Sequence, residues 1–162
     1  MAVARGAAAF FLAAALAGCA ANGVNLRPGV SDEAAVRKDM GTPADTVALS
    51  NGGRALFYPR GFRQTIRVEL GPDGKVRAVE QVLDERNFDR IVKGKTTRDE
   101  LRAMLGPPFF VRQLSKQELV WEYRYLWASD EPWTLLVGIG PDGLVTGQAR
   151  HQERDDNPFF RP

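Results

Sequence analysis

Gly94-Lys-Thr-Thr97-Arg-Asp-Glu100-Leu101-Arg-Ala-Met104-Leu105-Gly106-Pro107-Pro108 holds a complete helix with its own start and stop. Thr97 and Glu100 have the spacing of a capping box, in which each side chain accepts a hydrogen bond from the other's backbone N–H. Leu101, Met104 and Leu105 fall at i, i+3 and i+4, so one face is apolar and must find cover. Gly106 allows the chain to turn out of the helix, and Pro107-Pro108 forbids its continuation.

Working outward, the same grammar occurs twice. Gly29 … Gly41-Thr42-Pro43 … Leu49-Ser50 … Tyr58 matches Gly94 … Gly106-Pro107-Pro108 … Leu114-Ser115 … Tyr123 at a constant offset of 65. Gly71-Pro72-Asp73-Gly74 returns as Gly140-Pro141-Asp142-Gly143 at an offset of 69, so four residues are added between Tyr123 and Gly140. The segment from Trp127 to Trp133 reads as a longer loop that takes them up. In the first copy Ser31 or Asp32 caps a helix, Val36 and Met40 form its apolar stripe, and Gly41 with Pro43 ends it. A period of this size marks a repeated supersecondary unit, here an internal repeat of two.

Period-two runs follow each helix: Ile66, Val68, Leu70; Trp121, Tyr123, Tyr125; and Trp133, Leu135, Val137, Ile139. Alternation of this kind predicts antiparallel strands with one packed and one more exposed face. The Gly-Pro-Asp-Gly links are turns, since Pro presets φ and Asp and Gly suit turn geometry. The expected fold is therefore α+β: two tandem units, 28–90 and 91–155, each a helical segment packed on a three-stranded antiparallel meander. A unit of about 65 residues is marginal by itself, so the two are expected to pack together. Residues 156–162 read as a C-terminal tail.

The N-terminus carries a different signal. One positive charge, Arg5, precedes an uncharged apolar run of eleven residues, Ala7 to Ala17. A bilayer-spanning helix needs about 20 residues, so the run suits the apolar segment of a signal peptide over 1–18. It closes on Leu16-Ala17-Gly18-Cys19, the order of a bacterial lipobox, with Leu16, Ala17 and Gly18 as the signal-peptidase recognition residues and Cys19 as the lipid attachment site. Cys19 is the single cysteine of the chain and can form no internal disulfide. Acyl chains such as palmitate on that sulfur would anchor the mature protein to a membrane without crossing it. Ala20 in place of Asp after the Cys favours the outer membrane, and 19–27 reads as a lipidated tether.

Charge excludes little beyond nucleic acid. The whole chain has net charge +2, with 22 basic and 20 acidic side chains, and no basic stripe. His151, the one histidine, sits in a polar stretch with no partner ligands at a recognised spacing, so neither a metal nor another cofactor is expected. Ser31, Ser50, Ser115 and Ser129 lie in cap or loop contexts without a nucleophile elbow. Asn51-Gly52-Gly53 reads as a turn, and the acidic pairs Asp84-Glu85 and Asp155-Asp156 as solvated surface. The sequence thus reads as no enzyme and offers no small-molecule substrate site. Aromatic residues remain as possible partner contacts: Phe109, Phe110, Trp127, Trp133, Phe159 and Phe160, with one of each Phe pair expected in the core because neighbours on a strand point to opposite faces.

The lipobox, followed by Gly94-Lys-Thr-Thr-Arg-Asp-Glu-Leu-Arg-Ala-Met-Leu-Gly-Pro-Pro108 and Trp121-Glu-Tyr123, resembles the BamE-like (SmpA/OmlA) outer-membrane lipoproteins. The resemblance covers the second copy fully and the first more loosely; typical members have one copy. It implies a small helix-on-sheet fold, lipid-anchored at the periplasmic face of the outer membrane, acting as a scaffold in the machinery that assembles β-barrel membrane proteins and supporting envelope integrity. A tandem of such units also resembles the β-lactamase-inhibitory-protein fold, which implies the alternative of an inhibitor or chaperone-like module that binds a periplasmic enzyme or wall component.

Overall fold

A computed structural model describes residues 25–115 and 118–153. Within them the chain is α+β, with two four-stranded antiparallel sheets and short helices. Helix α1 (Glu33–Met40) leads into β1 (Asp45–Ala48), β2 (Arg54–Arg60), β3 (Gln64–Leu70) and β4 (Val76–Gln81), which pair in that order as sheet I. A single turn, α2 (Glu85–Phe88), connects to α3 (Arg98–Leu105). Strands β5 (Phe110–Gln113), β6 (Leu119–Trp127), β7 (Glu131–Ile139) and β8 (Val145–Gln152) then form sheet II.

The expected local signals are in place. Thr97 and Glu100 close the capping box, Asp32 rather than Ser31 caps α1 by accepting from Ala35 N, and Gly41 and Gly106 end the helices at φ 84° and 81°. Val36 and Met40, and likewise Leu101 and Leu105, are buried. The copies agree in detail as well as in outline. Tyr58 Oη donates to Gly41 O at 3.4 Å and Tyr123 Oη to Gly106 O at 3.1 Å, and the bridge Asp32–Lys75 recurs as Thr97–Leu144. Leu26, read from sequence as tether, already packs against the α1 core.

Three expectations are corrected. Each sheet has four strands, not three, because β1 and β5 add a short edge strand between the helix stop and the meander; four residues are too few to show alternation. The additional residues in the second copy do not make a loop. The β2–β3 and β6–β7 turns both span three residues, while β6 and β7 have nine residues each against seven in β2 and β3. Trp127 and Trp133 therefore stand on strands, Trp127 opposite Glu131 and Trp133 opposite Tyr125, in a ladder two pairs longer than that of β2 and β3. Finally, both Phe109 and Phe110 are exposed, at 43% and 53%. Phe110 faces outward on an edge strand, and the Phe109 ring turns to Phe62 and Arg124 instead of the core.

The layers run α1, sheet I, α3, sheet II. Strand β2 is the key to this order. Leu56 and Tyr58 join the α1 core, whereas Ala55 and Phe57 on the other face join the core built around α3 and sheet II. A strand buried on both faces needs consecutive apolar residues, and Ala55-Leu56-Phe57-Tyr58 supplies them. Full burial of Phe57 contributes about 1.5–3 kcal/mol. Charged contacts fix the register of α3 on sheet I: Arg102 makes two bonds to Asp45 (2.7 and 2.8 Å), and Arg67 Nε donates to Ala103 O (3.1 Å). No described helix or strand covers the far face of sheet II; Glu153 and, through it, Arg63 of the β2–β3 turn lie at Thr134, which is buried there.

Candidate partner-binding surface

On sheet II, Trp121, Tyr123, Tyr125, Leu135 and Val137 point to the α3 side and are buried. Strand pleating sends their neighbours the other way. The outer face is thus Phe110 and Arg112 from β5, Val120, Glu122 and Arg124 from β6, Thr134 and Leu136 from β7, and Ala149 and His151 from β8. The face includes a hollow of about 520 Å³ lined by Arg112, Glu122, Arg124, Thr134, Leu136, His151, Gln152 and Glu153.

A chain of charges runs across it. Glu122 accepts from Arg112 and Arg124, each at 3.2 Å. Glu153 accepts from Thr134 Oγ1 at 2.6 Å and takes two bonds from Arg63 at 3.1 and 2.7 Å. Arg63 holds the Glu153 carboxyl below its ordinary range, against the opposing effect of partial burial, and Glu153 raises Arg63 in return. Because Arg63 comes from the β2–β3 turn, this pair ties the first copy to the end of the second. It also places Phe62, 71% exposed, edge-on to Phe109 with ring centroids 5.6 Å apart. The guanidinium of Arg124 lies 4.0 Å over the Phe109 ring, a cation–π contact contributing about 0.5–1 kcal/mol at an exposed site.

The structure brings together some of the residues singled out from sequence and separates others. Phe109 and Phe110 sit at the margin of the outer face. Trp127 and Trp133 pack on each other, centroids 5.5 Å apart, on the opposite face at the far end of the β6–β7 hairpin. Phe159, Phe160, Leu16, Ala17, Gly18, Cys19 and the pair Asp155-Asp156 lie outside the described residues. His151 is exposed at the end of β8 opposite Thr134. Asp84 caps α2 by accepting from Asn87 N, and Glu85 pairs with Arg150, which also reaches Asp89. Asn51-Gly52-Gly53 is a turn closed by Asn51 Oδ1 on Gly53 N.

Phe62, Arg63, Arg112 and Arg124 were missed from sequence. One signal was available: Gly61-Phe62-Arg63 is a tight turn, where a large aromatic has no structural reason to be. A second hollow, about 590 Å³, separates α3 from sheet I. Arg67, Glu69, Glu80, Arg90, Lys95 and Glu100 are among its lining residues, and of these Arg67 is engaged by Glu69, Glu80 and Ala103 O. Among the described residues no group of three or more His, Cys, Asp or Glu is placed to hold a metal ion, and no helix is long and apolar enough to cross a membrane.

No protein-family model and no curated protein matches the chain. Among solved structures, a DUF4309 family protein (YjgB) from Bacillus subtilis is similar at 18% identity and a TM-score of 0.31, over 80% of this chain and 83% of that one. Likeness at that level carries nothing about activity.

Proposed function

We propose that this protein is a non-enzymatic lipoprotein of the outer membrane, anchored through Cys19 and facing the periplasm, that binds another protein through the outer face of sheet II. In this reading 1–18 is removed, and the repeats 28–90 and 91–155 form a scaffold similar to the BamE-type component of the barrel-assembly machinery. The observation that carries it is the exposed pair Phe62 and Phe109, with the Arg124 guanidinium over the Phe109 ring, beside exposed Phe110 on the edge strand of a sheet face that no described helix or strand covers. Aromatic residues, Phe among them, and Arg are enriched at protein interfaces relative to the rest of the surface. Anchoring follows from the lipobox: each buried methylene contributes about 0.8 kcal/mol, so several acyl chains on one sulfur hold a protein to a bilayer durably where one does not.

Two measurements test the reading. Cys19→Ser should release the protein from membranes or leave it unprocessed; a Ser variant that still fractionates with the outer membrane refutes the anchor. A photocrosslinker at Phe109 in cells should capture barrel-assembly proteins. Capture of a soluble periplasmic enzyme or a wall component would favour the inhibitor-like reading, which the ion-paired, aromatic-edged sheet face also supports. No crosslink at all would remove both.

A further inference from the structure

Strand β5 is an edge of sheet II, and its backbone is open on the side away from β6. Leu114 N–H donates to Glu118 O, and in an antiparallel ladder bonded pairs alternate with unbonded ones. Phe110 and Arg112 therefore turn their backbone groups to β6, while Val111 and Gln113 turn theirs outward, along an edge exposed in all four residues. The first copy closes the equivalent place. Under the offset of 65, β1 stands for β5, and the N–H of Thr46, counterpart of Val111, donates to Asp45 Oδ1 at 2.9 Å. Where the first copy has Asp45 the second has Phe110, whose side chain holds no acceptor. Strands β4 and β8 begin under backbone bonds from the segments before α1 and α3: Val76 bonds to Gly29 and Ser31, and Val145 to Gly94 and Thr96. Among the described residues no such bond reaches the outward groups of Val111 or Gln113.

We propose that the free edge of β5 receives an extended segment of the partner protein, which adds to sheet II as a fifth strand. The inference rests on the reading of the molecule as a protein-binding module but not on its anchor. It concerns the edge of the sheet and leaves Arg112 and Arg124 on Glu122. Outward N–H and C=O groups on alternate residues match another extended backbone, whereas a helix spends its own internally. Side chains set the partner's chemistry. Val111, Phe110 and, just beyond the strand, Leu114 are exposed at 46%, 53% and 61%. Val111 points to the opposite face from the other two, so the added strand carries apolar residues at successive positions. Charge is a usual guard of an edge, and the one charge of β5, Arg112, is drawn to Glu122 of β6. Phe109 stands at the start of the same strand beside Phe62, which gives the partner apolar contact beyond the backbone pairing. A second copy is the poorer occupant. Paired edge to edge it offers its own four-residue β5, against about 20–30 residues a side in a stable interface. The register centred on Arg112 would also set two like charges directly opposite each other.

The test uses the full chain in cells. Photocrosslinkers are placed singly at Val111 and Gln113, with Phe109 as reference, and the attachment points on the partner are mapped by mass spectrometry. The two labels should attach to partner residues two apart, and Val111→Pro should abolish capture from Gln113. That substitution deletes the outward N–H and no bond to β6, a position where an edge strand tolerates Pro, so the urea midpoint should hold. Phe110→Asn supplies a second variant, because it restores the side-chain oxygen that caps this N–H in the first copy. Capture from Gln113 should fall further with Asn than with Phe110→Ala, and this comparison decides alone if Val111→Pro lowers the midpoint. Capture unchanged by Val111→Pro, no greater loss with Asn than with Ala, partner residues spaced i, i+3, i+4, or attachment to β5 of a second copy would overturn the added strand. So would capture from Phe109 with none from β5, which leaves the proposed function standing. No capture from any position, Phe109 included, would remove the proposed function with it.

Discussion

Gly41 and Gly106 form a matched pair inside one molecule, and substituting Ala at each separates backbone strain from packing. Both residues end a helix in nearly the same conformation, φ 84° and ψ −156° for Gly41, φ 81° and ψ −164° for Gly106. That region is essentially confined to glycine and costs another residue about 1–3 kcal/mol. At Gly41 a new Cβ would meet nothing within 4 Å. At Gly106 it would lie 2.6 Å from Phe57 Cδ1 and 2.9 Å from Cγ, both deep inside contact distance and against a fully buried ring. Overpacking of this kind adds about 1–3 kcal/mol. Gly41→Ala should therefore cost about 1–3 kcal/mol and Gly106→Ala about 2–6 kcal/mol, the latter a large share of a stability of about 5–15 kcal/mol. Urea unfolding followed by tryptophan fluorescence reads the difference, since Trp121 is buried on sheet II. In the background of Phe57→Leu, which removes the ring, the additional penalty at Gly106 should shrink towards that at Gly41. Equal costs at the two sites, or no relief from Phe57→Leu, would refute the claim that α3 is seated on sheet I through this contact.

Other perturbations bear on the same joints. Thr97→Ala removes the capping box of α3 and should cost about 1 kcal/mol by urea unfolding. The Arg102 hydrogen bond holds the Asp45 carboxyl below its ordinary 3.8, so its stabilisation is present above that pH and lost as pH falls through the lower folded value; Asp45→Asn should flatten the acid limb of a stability–pH profile and leave the range above pH 7 with a constant offset. Tyr125 Oη and Glu85 Oε1 are buried without a hydrogen bond of normal geometry, and burial, with the neighbouring carboxylate second, raises the phenol pKa. Tyr125→Phe should accordingly be neutral or slightly stabilising in thermal melts, while Tyr123→Phe, which deletes the bond to Gly106 O, should cost about 1 kcal/mol.

Helix ends, turn positions and the repeat were legible in the amino-acid order because each rests on contacts within a few residues. The Thr97–Glu100 box, the Asp73 and Asp142 side chains on the backbone N–H two residues on, and the alternation of Ile66, Val68 and Leu70 are of this kind. The candidate surface was half legible: Phe109 and Phe110 stood out, but Phe62, Arg63 and Arg124 acquire meaning only when the β2–β3 turn meets the second copy. Tertiary structure decided the remainder. Edge strands β1 and β5 exist because β2 and β6 present unpaired backbone beside them, and the four added residues extend a hairpin because its ladder can absorb them. Which sheet face lies open depends on α3 choosing Phe57 and Asp45, the latter 57 residues from its partner Arg102. No local pattern encodes that choice, since the free energy of burying a face is settled only when another surface of matching shape and charge arrives to cover it.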